Sequence, residues 1–169
     1  MIRYIVYFAE IILCYLLQTS VFSYFRVSGV VPDCILILII AIAYTKGQKQ
    51  AIVTGFFSGL LLDLLFAETI GVCALIYMFT GFLAGYSNRV FEPRNIWLPA
   101  VMIFSGELFY SICYYITGFF LMGKTSLGAY IVNTIFPRAL YTLIVAVLFY
   151  PLFLFVNKLL LRSEGILDE

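Results

Sequence analysis

Long apolar runs, broken only by short charged or Gly/Pro segments, constrain this chain more than any other feature. They cover residues 4–25, 32–45, 50–67, 71–86, 97–122 and 129–157. A hydrocarbon core about 30 Å thick is crossed by about 20 helical residues, so each run is read as a transmembrane helix. Composition agrees, with 64% hydrophobic and 11% charged residues and a mean hydropathy of +1.08, against about 45–50% apolar and 25% charged in soluble domains. The 169 residues hold six such spans and their turns, which leaves no separate soluble domain. The expected fold is therefore all-α: one integral membrane domain over residues 1–169, a compact bundle of six spans with short loops.

The first run is interrupted only by Glu10 and is too long and too aromatic at its end for a cleaved signal, so it is kept as a retained helix. The second is short and either begins near Val27 or crosses a thin region. It stops firmly at Lys46, Gly47, Gln48 and Lys49. Arg3, Lys46, Lys49, Arg89, Arg94, Lys158 and Arg162 fall on one side of the six-span arrangement, and Arg26 and Lys124 on the other. Seven basic residues against two place both termini in the cytoplasm. Tyr4, Tyr7, Tyr44, Tyr86 and Trp97 fall at the inner boundaries and Phe22, Tyr24, Phe25 and Tyr130 at the outer ones, as interfacial aromatics do.

Ten basic and nine acidic residues give a net charge of +1, which excludes a nucleic-acid-binding polycation. Histidine is absent, removing the usual neutral-pH proton carrier and metal ligand. Cys14, Cys34, Cys73 and Cys113 lie far apart in apolar runs and are read as small buried hydrophobes, with a Cys34–Cys73 disulfide as the remote alternative. No phosphate-binding loop, H-E-x-x-H, G-x-S-x-G or paired intramembrane aspartate motif occurs. The expectation is no enzyme, no cofactor and no bound metal.

Polar and small residues inside the spans carry the remaining information. Ala51, Gly55, Gly59 and Asp63 recur every fourth residue and form a face where another backbone can approach closely. That face packs either a neighbouring span or a partner's helix, and Gly71, Gly81 and Gly85 have the same two readings. Asp33 follows Pro32 at a helix start and is read as its N-cap. Asp33 and Asp63 both lie toward the outer side, within reach of water. Glu10 is expected to snorkel, or to bond Tyr15 or Gln18.

Ionisable groups at a helix centre cost at least about 2.5–3.5 kcal/mol on insertion scales, so each needs a partner or a task. Counted along their helices at 1.5 Å per residue, Glu107 and Arg138 reach similar depths from opposite ends. The expectation is a buried ion pair joining the fifth and sixth spans, with Pro137 freeing a carbonyl for another guanidinium donor. The rival role for Glu107 is a proton- or substrate-binding carboxylate. Tyr110, Tyr114 and Tyr115 are spaced like aromatics that pack a helix seam.

Three segments carry a resemblance in their order and spacing: Val31-Pro32-Asp33-Cys34-Ile35-Leu36-Ile37-Leu38, Gly55-Phe56-Phe57-Ser58-Gly59-Leu60-Leu61-Leu62-Asp63, and Gly71-Val72-Cys73-Ala74-Leu75. With Leu16-Leu17-Gln18-Thr19 in the first span and Pro137 in the last, they make the chain resemble the MreD family of bacterial rod shape-determining membrane proteins. The resemblance runs over essentially the whole chain. It implies a non-enzymatic scaffold subunit of the cell-elongation complex in the bacterial inner membrane, required for rod shape and lateral peptidoglycan synthesis. Implied partners are MreC first, then the elongation-specific peptidoglycan polymerase and transpeptidase, MreB and the lipid bilayer. The face of Gly55, Gly59 and Asp63, with the outer ends of neighbouring spans, is the candidate docking surface. The alternative is a substrate-binding membrane subunit of an energy-coupling-factor vitamin transporter, with Asp63, Glu107 and Arg138 lining a pocket.

Overall fold

The structure, a computed structural model, describes residues 2–26, 29–66, 71–90, 97–117 and 127–163, all of whose regular elements are helical. Helix α1 covers residues 2–24 as Ile2–Leu16, a π-helical stretch Leu17–Val21 and Phe22–Tyr24. Helices α2 (Cys34–Lys46), α3 (Gln48–Phe66), α4 (Val72–Val90) and α5 (Trp97–Tyr115) follow. Helix α6 covers residues 127–163 as Leu127–Tyr130, a π-helical stretch Ile131–Ile135 and Phe136–Ser163. Two helical stretches, Leu98–Tyr115 and Ile131–Asn157, are long and apolar enough to cross a membrane by length and composition. The side chains of Arg3, Arg89, Arg94, Lys124, Lys158 and Arg162, on which the charge bias rests, lie outside the described residues.

Helix α2 is the central post. Its residues from Cys34 to Ala43 are fully buried, and it packs against α1, α3, α4, α5 and α6. A helix apolar on all sides belongs inside a bundle, which explains both its unbroken Ile/Leu/Ala composition and its tolerance of only 13 residues. It begins at Cys34 with Asp33 as its cap, so of the two alternatives the earlier start is not the one taken; Val27 itself lies outside the described residues. Gly47, with φ +91°, ends it, and one residue in that left-handed conformation lets α3 start immediately and return alongside.

Helices α3 and α4 make the most extensive contact in the molecule. A Cβ added at Gly55 would lie 2.5 Å from Tyr77 O, and one at Gly59 2.5 Å from Ala74 Cα. From the other side, a Cβ at Gly81 would meet Ala51 O at 2.6 Å and one at Gly85 would meet Gln48 Cα at 2.4 Å. The glycines thus let two backbones touch, as small-residue faces do.

Polarity is inverted relative to a water-soluble protein. Asp33, Ser58, Glu107, Thr142 and Asn157 have no exposure, whereas Val147 is 80% and Leu148 73% exposed. Large apolar side chains outside and carboxylates inside suit hydrocarbon as the surrounding solvent. Glu10 also turns inward, with both oxygens buried and without a hydrogen-bond partner, so it neither snorkels nor bonds Tyr15 or Gln18. All four cysteines are free, which removes the Cys34–Cys73 disulfide.

Candidate functional site

The interior polar residues form one joint. Asp33 caps α2, its Oδ1 accepting the Leu36 N–H at 3.0 Å. Capping uses one carboxylate oxygen and leaves the other for the interior. There the Tyr77 hydroxyl of α4 donates to Asp33 Oδ2, and the Arg138 guanidinium of α6 lies 3.6 Å from the same oxygen. The Asp33 backbone N–H donates to Thr142 Oγ1 at 3.2 Å, tying the start of α2 to α6 a second time. Asp33 is fully buried, so the expected access to water is replaced by four contacts from three helices.

Arg138 also meets Glu107 of α5. Its Nε lies 2.7 Å from Glu107 Oε1, with the glutamate side chain fully buried and the arginine side chain 17% exposed. The N–H is not aligned on that oxygen, so the contact is a close charge pair rather than a directed hydrogen bond. Two carboxylates from separate elements therefore converge on one guanidinium. The guanidinium carbon stands 4.5 Å from the centroid of the Tyr110 ring, which offers its π-face to the cation. Tyr110 stacks in turn on Tyr77 at 5.4 Å and on Tyr114 at 5.9 Å. These tyrosines pack a seam, and Tyr110 holds the cation.

Pro137 stands one residue before Arg138 and just after the π-helical stretch, whose widened turn is closed by the Phe136 N–H on Ile131 O. A proline gives no N–H to the helix, and a π-turn beside it lets the backbone absorb that loss. Among the described residues the guanidinium takes Glu107, Asp33 and the Tyr110 ring. The expected freed carbonyl is not one of its partners. Gln18 occupies the other π-helical stretch, its amide oxygen buried without a partner. Pro32 is buried directly before the Asp33 cap.

Asp63, at the far end of α3, does for α4 what Asp33 does for α2. Its carboxylate accepts the N–H groups of Gly71 at 2.9 Å, Cys73 at 3.1 Å and Ala74 at 3.0 Å. Three free donors at a helix start are satisfied by one anion, which also faces the positive end of the helix dipole. Gly71, at φ +104°, lets the chain enter α4 on the side where Asp63 waits. Asp63 is 1% exposed, so it too is held away from water. Cys73 Sγ lies 3.9 Å from the Tyr110 hydroxyl, connecting this cap to the joint around Arg138.

The residues singled out from the sequence thus divide into two sets. Asp33, Glu107 and Arg138 are brought together, and Ala51, Gly55, Gly59, Gly81 and Gly85 line the α3–α4 contact. The latter corrects the docking expectation: the face of Gly55, Gly59 and Asp63 is filled by α4 of the same chain, and the backbone contacts leave no room for a partner's helix. Tyr77 and Thr142 were not anticipated. Thr142 stands four residues after Arg138 and so shares its helical face, a spacing readable beforehand. Tyr77 carries no such signal.

Chemically the arrangement fixes helices to one another. It joins α2, α4, α5 and α6 through charge, hydrogen bonds and ring stacking in a low-dielectric interior, where such contacts are strong and their loss is costly. Among the described residues no group of three or more Cys, Asp and Glu side chains is arranged to hold a metal ion.

Comparison with known proteins adds one match: the family model described as rod shape-determining protein MreD fits residues 1–160. No curated protein and no solved structure matches.

Proposed function

This chain belongs to the MreD family of rod shape-determining membrane proteins, and from that premise we propose that it is a non-enzymatic scaffold subunit of the bacterial cell-elongation complex. The observation that carries the reading is the extent of the family match, residues 1–160 of 169. In this reading all six helices cross the inner membrane and both termini lie in the cytoplasm. The basic residues of alternate loops support that orientation. So does the meeting at one end of the bundle of Lys46 with Tyr7 of α1, and of Asn88 with the carbonyls of Ala43 and Tyr44.

The scaffold holds MreC and the peptidoglycan polymerase and transpeptidase at sites of lateral wall growth, with MreB filaments on the cytoplasmic side. Docking takes place on the outer, lipid-facing sides of the bundle, since its small-residue seam is used internally. The buried joint around Arg138 supports this role by giving partners a surface of fixed shape. A vitamin-transporter subunit finds no support. The family that matches is one of shape determination, and Asp33, Glu107 and Arg138 satisfy one another instead of lining an open pocket.

Depletion of the protein in its own cells tests the proposal. Rods should round up and lateral wall incorporation should stop, with recovery on re-expression. Unchanged rods with impaired vitamin uptake contradict it.

A further inference from the structure

The seam between α1 and α3 is not closed as the α3–α4 seam is. It is an open groove of about 740 Å³, within the range of about 300–1,000 Å³ of clefts that hold one small ligand. Phe8 and Ile11 form one wall, and Val53, Phe57, Leu61 and Leu64 the other. From Lys49 to Leu64 it follows α3 for about 22 Å at 1.5 Å per residue, longer than the roughly 15 Å of hydrocarbon in one leaflet. Lys49 and Gln50 line its mouth, where the Lys46 ammonium also stands 4.1 Å from the centroid of the Tyr7 ring.

Two features identify the occupant. Apart from Thr54 the walls are aromatic and branched, with no glycine, alanine or serine among the lining residues, whereas close helix docking in a membrane uses runs of small residues. The α3–α4 seam of this same molecule shows that difference directly. The mouth, in contrast, is cationic. Lys49 above an apolar slot at least one leaflet long complements a head-group phosphate above a hydrocarbon chain. We propose that the α1–α3 groove binds one anionic phospholipid, its phosphate at Lys49 and one acyl chain along Val53, Phe57 and Leu61. The inference rests on the membrane location of the family but on neither the partners nor the orientation proposed above, so it can fail while they stand.

The test is native mass spectrometry of the purified full-length protein after exchange into phosphatidylglycerol or phosphatidylcholine vesicles and stepwise detergent washing. The wild type should retain one phosphatidylglycerol and lose phosphatidylcholine. Lys49→Ala should lower phosphatidylglycerol retention about fivefold, the equivalent of about 1 kcal/mol for one basic residue near a membrane surface. Val53→Trp, at a half-exposed position that tolerates bulk, should fill the slot and abolish retention with an unchanged melting temperature. Equal retention of both lipids by the wild type, or wild-type retention by both variants, overturns the proposal. So does a photo-crosslinker at residue 53 that captures only polypeptide in native membranes, because a partner helix then occupies the groove.

Discussion

Arg138 on α6 and Glu107 on α5 touch at 2.7 Å inside the bundle, and the guanidinium is shared with Asp33 at 3.6 Å. The sharing makes the joint unequal. Loss of Glu107 leaves Arg138 with Asp33 still beside it, whereas loss of Arg138 leaves two buried carboxylates facing each other without a cation.

Arg138→Met is therefore expected to be more damaging than Glu107→Leu. Removing one member of a buried pair costs about 3–5 kcal/mol, and Arg138→Met should reach or exceed the upper end. The double variant should accumulate more folded protein than Arg138→Met alone, because only Asp33 then stays charged, and Tyr77 and the α2 cap still hold it. Folded yield after detergent extraction, read by size-exclusion chromatography, checks the order. Equal yields for all three variants contradict the joint.

Tyr77→Phe deletes the hydrogen bond to Asp33 and nothing else of comparable strength. Bonds to charged groups contribute about 1.5–3 kcal/mol, and a change of 1 kcal/mol shifts the melting temperature of a chain this size by about 2–4 °C. Tyr110→Phe should shift it less, since its hydroxyl meets only Cys73 Sγ at 3.9 Å and the ring that faces Arg138 is retained. Thermal melts of the two variants in one detergent decide the matter.

Asp63→Asn keeps the shape of the α4 cap and removes its charge and one acceptor oxygen. Losses at such caps are typically about 0.5–2 kcal/mol, and three N–H donors on one carboxylate put this one at the high end. Hydrogen exchange at residues 71–74 should accelerate in Asp63→Asn. Unchanged protection there would contradict the assigned cap.

At Gly59 even alanine is too large, because its Cβ would start 2.5 Å from Ala74 Cα and 2.6 Å from Cys73 O. Both neighbours are backbone and move only with the whole helix. Overpacking of this kind costs about 1–3 kcal/mol, and the Gly55→Leu/Gly59→Leu double variant should fail to accumulate as folded protein. If the double variant folds and melts like the wild type, α4 does not fill that face.

What was legible in the sequence follows from what a helix fixes locally. The depths of Glu107 and Arg138 follow from a constant rise per residue, so their proximity could be reckoned without knowing the packing. The small-residue face of α3 was equally visible, but a stripe of glycines names no partner, and only the folded chain sets α4 against it. Asp33 reads as a cap from Pro32 before it, and its Oδ1 accepts the Leu36 N–H. Its second oxygen reaches Arg138 across 105 residues of sequence, and no local pattern records that. The 13 residues of α2 are short only against the thickness of lipid, whereas this helix is surrounded by protein. Asp63 stands eight to eleven residues before the N–H donors it satisfies, a separation that no helical spacing records.

A scaffold for the wall-elongation machinery should leave the membrane together with that machinery. The most direct measurement is affinity purification of a tagged chain from native membranes in mild detergent, with mass-spectrometric identification of what stays bound. Recovery of MreC together with the elongation-specific polymerase and transpeptidase is the predicted result. Recovery of transporter ATPases with their membrane coupling subunit, and no wall-synthesis proteins, would contradict it.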